Sequence, residues 1–179
     1  MNYRSIDEIY TANKAIRQKL LLTVSSLPED VINTRPADDK WSIAEIVEHL
    51  TLVADGMSRI CGKLLKEAGE AGRAYDGTVN ISEGFLSKAA EFADVAIDAP
   101  DRVKPSGSKS IAESIAAFEE IDRRFDELKP LFETNDGNQN KFPHPYFGDL
   151  SAIEWLVLIG GHEVRHLRQI KGMIVNAGQ

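Results

Sequence analysis

The sequence predicts an all-α protein, a four-helix bundle with a long connection between its second and third helices. Apolar residues recur at helical spacing over four long segments, and no segment alternates as a half-buried strand would. A Ser-x-x-Glu capping box precedes each of these segments. A chain of 179 residues can bury roughly 70% of its unfolded surface in one core. We therefore expect a single domain over residues 1–179.

Four capping boxes locate the helix starts. In such a box, the side chains of serine and glutamate accept hydrogen bonds from backbone N–H groups that the helix itself leaves free. The pairs are Ser5/Glu8, Ser42/Glu45, Ser110/Glu113 and Ser151/Glu154. They predict helices over about 6–26, 43–68, 111–132 and 151–176. A fifth match, Ser26/Glu29, falls at the proline-containing connection 28–40, and we interpret it as chance or a turn.

Two further connections separate the later helices. Residues 69–109 are rich in glycine and proline, and we predict a short helix within them at 82–96. A connection of this length can cross the whole bundle, so the second and third helices need not be antiparallel. The connection 134–150 carries an aromatic segment, Phe142 to Gly148, directly before the last helix.

The charge balance argues against nucleic acid as a partner. Lys plus Arg number 21 and Asp plus Glu number 28, a net charge of −7. A phosphate backbone requires clustered cations. The single basic stripe, Arg165, Arg168 and Lys171, is expected in the last turns of a helix, where cations suit the helix dipole.

The chain has no features of a membrane or exported protein. No apolar run approaches the roughly 20 residues of a membrane span, and the first residues lack the apolar stretch of a signal peptide. Cys61 is the sole cysteine, which excludes an internal disulfide. We therefore expect a cytoplasmic protein in which Cys61 is an inert packed residue.

Three of the four histidines can be interpreted as one metal site. His162 and His166 are four residues apart on a predicted helix and project from nearly the same face, which suits two-point binding of one ion. His49 occupies the inward stripe of another helix. Buried imidazoles cost several kcal/mol without partners, and a metal ion supplies one partner to all three. The predicted metal ligands are His49, His162 and His166.

Three imidazole ligands leave coordination positions open, as in catalytic metal sites. We expect a divalent ion, zinc or nickel first, with iron or manganese as alternatives. Such an ion can lower the pKa of bound water to about 7, or hold a thiol as thiolate. Glu45 and Gln169 could orient a ligand, although a capping role is favoured for Glu45.

The string His162-Glu163-x-x-His166 also matches the zincin protease motif, but the rest of that motif is missing. No His, Glu or Asp follows His166, and the extended form needs Gly where Gln169 stands. A protease is therefore disfavoured. Glu163 is expected to face solvent or to pair with a nearby Arg or Lys.

Two segments resemble the signatures of the DinB-like superfamily. Residues 40–50, KWSIAEIVEHL, look like its second-helix signature. Residues 144–148, HPYFG, resemble the start of its last-helix signature, which continues through Glu154-Trp155-Leu156, His162, His166, Gln169 and Ile170. Residues 100–107 also resemble its linker after the second helix.

The resemblance implies a four-helix bundle that holds a metal through His49, His162 and His166, and frequent homodimers. Some members of this family join a low-molecular-weight thiol to an electrophile and others are similar to hydrolases or isomerases, and our first hypothesis for this chain is thiol transfer to a small electrophile. A metal-dependent hydrolase is the alternative among enzymes, with Glu45 or Glu163 as the available bases. A stress-associated protein that binds a metal or small molecule without catalysis is the alternative outside enzymes.

Three further features near the predicted site allow more than one interpretation. His144 could line the site entrance, but we favour a plain loop residue between two prolines. Trp155 is expected in the core or at a dimer surface. Gly160 and Gly161 should each cost roughly 1 kcal/mol in a helix. Either a neighbouring helix packs closely there, or space is kept near the metal.

Overall fold

The computed structural model describes residues 2–93, 95 and 97–177, and it forms a four-helix bundle with a small hairpin. The long helices are α1 (Ile6–Ser25), α3 (Ile43–Glu70), α5 (Ile111–Thr134) and α6 (Ala152–Ala177). The minor elements are α2 (Glu29–Asn33), α4 (Glu83–Glu91), a 3₁₀ turn (Asp101–Val103), β1 (Lys141–His144) and β2 (Gly148–Ser151). The predicted helix bounds agree with these within about two residues.

Each long helix packs against two others. α3 contacts α5 and α6, and α1 contacts α6 and α5, which puts α1 and α3 at diagonally opposite corners. The core between them consists of aliphatic and aromatic side chains from all four helices, among them Ile9, Leu50, Phe118 and Ile170.

Side-chain contacts fix the helix directions. Arg124 of α5 meets Asp55 of α3, and further along both helices Asn135 donates to the carbonyl of Leu65, so α3 and α5 run parallel. The long connection between them permits this, as expected. α3 and α6 run antiparallel, since His49 lies beside His162 while the later Cys61 lies beside Ala152.

The predicted capping pairs form at all four long helices. At α3, α5 and α6, serine and glutamate exchange hydrogen bonds in both directions. At α1, Ser5 accepts from the Glu8 N–H. The discounted match at Ser26 is not a cap, because its hydroxyl donates to the Thr23 carbonyl.

Two elements were missed by the sequence prediction. The connection 28–40 contains the short helix α2, which begins after Pro28. Residues 141–150, predicted as a loop, and Ser151, predicted as the start of the last helix, form the antiparallel hairpin β1–β2, with Lys141 opposite Ser151 and His144 opposite Gly148. Strands of four residues, the first of which contains Pro143, are too short for alternation to be recognised. Gly148, with φ +75°, allows the tight return of the chain.

The connection after α3 is fastened to the bundle by two buried carboxylates. Glu48 accepts hydrogen bonds from Ser106 and from the Gly107 N–H, and Glu154 accepts from Ser82 at the start of α4. The short helix predicted at 82–96 is observed over Glu83–Glu91, and positions 94 and 96 lie outside the described residues. These contacts hold the connection against the bundle at two points, near the start of α3 and near the start of α6, which lie toward opposite ends of this antiparallel pair.

Over the described residues, no helix combines the length and apolarity needed to cross a membrane.

Cys61 is completely buried, and its thiol lies 3.7 Å from the Ala152 carbonyl. Burial raises the pKa of this thiol far above its ordinary value. A buried, protonated thiol is unreactive, so the interpretation of Cys61 as a packing residue is confirmed.

Candidate metal centre

The three predicted histidines converge. His49 comes from the second turn of α3, and His162 and His166 lie one turn apart on α6. One ligand nitrogen from each lies within 4.8 Å of the other two. The Nε2 atoms of His49 and His162 are 3.4 Å apart. Two nitrogens that bind one zinc ion tetrahedrally at about 2.1 Å are about 3.4 Å apart, so this pair already fits an ion.

Hydrogen bonds on the opposite ring nitrogens orient two of the imidazoles. His49 Nδ1 lies 2.7 Å from the carbonyl oxygen of Val103, in the 3₁₀ turn. His166 Nδ1 lies 2.8 Å from Oε1 of Gln169. Both partners accept, so the ring protons lie on Nδ1 and the lone pairs on Nε2. This is the tautomer that a metal ligand needs.

One buried atom tests whether a metal ion suits these residues. His166 is 4% exposed, and its Nε2 has no hydrogen-bond partner. An unpaired buried acceptor costs about 1–3 kcal/mol. A divalent ion shared with the other two rings would supply the missing partner, so the residues fit the metal that the sequence predicted.

The site also favours neutral rings. Burial lowers the pKa of all three histidines, that of His166 to about 3 and that of His162 well below the ordinary value. The charge of Arg165 lowers them further. At neutral pH the imidazoles are therefore unprotonated, which is the form that binds metals.

The histidines line the wall of a cavity of about 850 Å³. Most of the remaining wall is apolar and includes an aromatic group of residues from α4, the hairpin and α6: Phe85, Phe92, Phe142, Tyr146, Phe147 and Trp155. The volume suits a small organic molecule. Three arginines, Arg102, Arg165 and Arg168, also line the cavity.

The two carboxylates considered as general bases, those of Glu45 and Glu163, are both engaged by other residues. Glu45 completes the capping box with Ser42 and pairs with Arg35, so its predicted capping role is confirmed. Glu163 is 2% exposed and pairs with Arg17 of α1. Burial raises the pKa of Glu163, and the Arg17 guanidinium opposes that rise. The alternative that Glu163 faces solvent was wrong, whereas pairing with an arginine is confirmed.

His144 is more than a loop residue. It ends β1, and its ring packs 5.1 Å from the rings of Trp155 and Phe147, centroid to centroid, on the cavity wall. Its Nδ1 accepts from the backbone N–H groups of Tyr146 and Phe147. The favoured interpretation of His144 as a plain loop residue was therefore wrong, because the unrecognised hairpin folds it onto the site. Trp155 is buried in the core as expected, and it borders the same cavity.

Both adjacent glycines line the cavity. A Cβ atom on Gly160 would also lie 2.2 Å from Oδ1 of Asn13, so α1 packs closely there. Close helix packing therefore explains Gly160, and space beside the histidines agrees with both glycines. Arg165 and Arg168 lie in the second half of α6, and the last turn itself contains no basic residue.

Sequence reasoning missed the carbonyl of Val103. Any residue offers a backbone carbonyl, so no side-chain pattern could identify this partner of His49. The signal available was the resemblance of residues 100–107 to a family linker. Gln169, in contrast, was named as an orienting residue because it lies three positions after His166 on the same helix.

Comparisons with known proteins agree with this fold. The sequence profile of the DinB superfamily matches residues 12–170. The uncharacterised protein YuaE of Bacillus subtilis (strain 168) is 28% identical over 153 residues, which cover 83% of this chain and 86% of YuaE. The crystal structure of TT2238, a four-helix bundle protein, superposes with a TM-score of 0.64 at 20% identity, covering 93% of this chain and 98% of TT2238. Because the profile covers most of the sequence, the chain belongs to the DinB superfamily.

Proposed function

We propose that this protein is a metal-dependent enzyme that transfers a low-molecular-weight thiol to a small electrophile. The observation that carries the proposal is the convergence of His49, His162 and His166 on the wall of an apolar cavity, with one buried ring nitrogen left unpaired. When bound, a divalent ion, zinc or nickel in the first instance, would stabilise the substrate thiol as its thiolate.

The protein's own residues would position the reactants. Val103 and Gln169 hold two of the rings with Nε2 free. The aromatic wall from α4 and the hairpin offers an apolar surface for the electrophile. In the transfer, the thiol loses its proton to solvent, a sulfur–carbon bond forms, and the bond between that carbon and the leaving group breaks, so that the leaving group departs with its electron pair. Holding the two reactants side by side supplies much of the rate enhancement.

Thiol transfer is favoured over hydrolysis because the two carboxylates that could act as bases are already in ion pairs. Hydrolysis needs a general base beside the attacking water. Glu45 and Glu163 are each paired with an arginine, and neither lines the cavity that the three rings border. A thiolate is itself the nucleophile and needs no such base.

The first experiment measures bound metal in the purified protein by elemental analysis. We expect close to one divalent ion per chain in the wild type, and its loss in His49→Ala. His144→Asn is the matched control, because it removes a cavity histidine that lies outside the predicted ligand set, and it should retain the ion. Unchanged metal in His49→Ala would remove this residue from the site and end the proposal.

The second experiment tests transfer. The metal-loaded protein is incubated with glutathione, cysteine or bacillithiol and 1-chloro-2,4-dinitrobenzene, whose thioether product absorbs light. We expect a rate above that of the EDTA-treated protein and of His49→Ala. Stoichiometric metal without any such rate would instead favour a binding protein without catalysis.

A further inference from the structure

Beside the histidine cluster, the cavity wall carries hydrogen-bond donors that lack acceptors. Trp155 is 3% exposed, and its indole Nε1–H has no hydrogen-bond partner. A buried N–H group without a partner is as unfavourable as a lost hydrogen bond. Trp155 borders the cavity, and a molecule bound there that reaches this shielded Nε1 would supply the acceptor.

A second donor lies against the first. The Nδ1 atom of His144 accepts N–H groups from Tyr146 and Phe147, at 3.1 Å and 3.3 Å. An atom that accepts carries no proton, so the proton of the neutral ring lies on Nε2. Among the residues that the structure describes, none is hydrogen-bonded to this Nε2. The rings of His144 and Trp155 are 5.1 Å apart, centroid to centroid.

The charges around these donors are positive, although the protein is acidic overall. Arg102, Arg165 and Arg168 line the cavity, and Asp98 is the single carboxylate residue among the described wall residues. The side chain of Asp98 is exposed, and its backbone carbonyl accepts from the Tyr146 hydroxyl. Arg102 and His144 line the same cavity, and burial, together with the Arg102 charge, lowers the pKa of His144 to about 4.

We propose that Trp155, His144 and Arg102 form a subsite for a carboxylate group, so that the small molecule bound in this cavity is an organic acid with an apolar body. Two neutral N–H donors and a guanidinium offer hydrogen bonds and accept none, which matches an oxyanion. The aromatic wall offers contact to the apolar remainder. This inference rests on the proposed function in one respect, because that function is what makes the bound molecule a substrate.

The experiment uses a matched pair of ligands, 3-phenylpropanoate and its neutral isostere 3-phenylpropanamide. Binding is measured by calorimetry and by tryptophan fluorescence, since both tryptophans of the chain, Trp41 and Trp155, border the cavity. Titrations are made with the protein as purified and again after metal removal with EDTA. We expect the carboxylate to bind about tenfold more tightly than the amide in both preparations, since hydrogen bonds to a charged group are the stronger ones.

Three variants test the named residues. Trp155→Phe keeps an aromatic ring and removes the N–H. His144→Asn keeps an oxygen that can accept the backbone N–H groups of the turn and removes Nε2–H. Arg102→Gln removes the charge. Each should reduce the affinity ratio of carboxylate to amide several-fold, while Arg123→Gln, an exposed arginine on α5 that does not border the cavity, should preserve it.

Three results would overturn the subsite. One is equal affinity for the two ligands, or no binding of either, in the wild type. Another is an unchanged affinity ratio in all three variants. The third is a preference that disappears when the metal is removed, because the carboxylate would then bind the ion itself. A protein that binds no metal but retains the preference would refute the proposed function and leave the subsite standing.

Discussion

At the scale of single residues, the orientation of the histidine rings depends on one hydrogen bond each for His49 and His166. The carbonyl of Val103 and the amide oxygen of Gln169 fix which nitrogen carries the proton. Loss of such an outer partner typically costs about 10–100-fold in metal affinity or activity.

Replacing Gln169 with leucine should weaken metal binding by about 10–100-fold, because His166 loses its orienting acceptor. Affinity is measured by competition with a chromophoric chelator, and the fold is checked by circular dichroism. The control is Gln18→Leu, at an exposed position on α1. Wild-type affinity in Gln169→Leu would mean that packing alone orients the His166 ring.

At the scale of secondary-structure elements, the site depends on how closely α1 approaches α6. Asn13 donates to the Leu156 carbonyl at 2.8 Å and occupies the space over Gly160. Three residues further on, Glu163 pairs with Arg17. These contacts fix the position of the segment of α6 that carries His162.

Gly160→Ala should destabilise the protein by about 1–3 kcal/mol, because the new methyl group meets Asn13 and α1 must shift. Gly172→Ala is the matched control on the same helix. Nothing lies within 4 Å of its added Cβ, so helix propensity should stabilise it by up to about 1 kcal/mol. Urea unfolding measures both, and equal effects of the two substitutions would contradict the close approach.

Glu154 serves two elements, since it caps α6 and accepts from Ser82 at the start of α4. Glu154→Ala should therefore cost about 1–3 kcal/mol, because both sets of donors lose their acceptor. Glu113→Ala, which caps only its own helix α5, should cost about 1 kcal/mol or less. Urea unfolding at pH 7 compares the two, and equal losses would mean that the contact with Ser82 contributes nothing.

The pH dependence of the Glu154 contribution follows from its pKa. Burial raises that pKa, but hydrogen bonds from Ser151 and Ser82 outweigh burial and hold it below the ordinary value. The contribution is then complete above about pH 4.3, the pKa in the unfolded chain, and is lost as the pH falls through the folded pKa. The difference between wild type and Glu154→Ala should shrink in that acidic range.

At the scale of the whole molecule, the three histidines join α3 to α6, which are antiparallel neighbours in the bundle. A metal ion at a hundred times its dissociation constant should stabilise the folded state by about 2.7 kcal/mol. For a chain of this size, that corresponds to a rise of about 5–10 °C in Tm. Thermal unfolding with added zinc measures it.

His49→Ala should abolish this rise, and magnesium, which prefers oxygen ligands, should not produce it. An equal rise in His49→Ala would mean that zinc stabilises the protein by binding at another site.

The expected homodimer stays a prediction, and sedimentation of the purified protein tests it.

The sequence predicted the long helices better than the connections between them. The four long helices were predicted because their apolar spacing and capping boxes are local signals, which each segment carries by itself. The hairpin at 141–151 and the helix α2 carry no comparable signal. With the hairpin unrecognised, the place of His144 on the cavity wall could not be predicted.

The sequence by itself determined the bundle and the three histidines, because helical periodicity and the i, i+4 spacing depend on the covalent order of the residues. The tertiary structure alone decided which nitrogen of the His49 ring is free, that Glu163 pairs with Arg17 rather than facing the site, and that His144 and Trp155 meet. Those outcomes depend on contacts between segments far apart in the chain. Such contacts form only when the helices pack, so no local pattern encodes them.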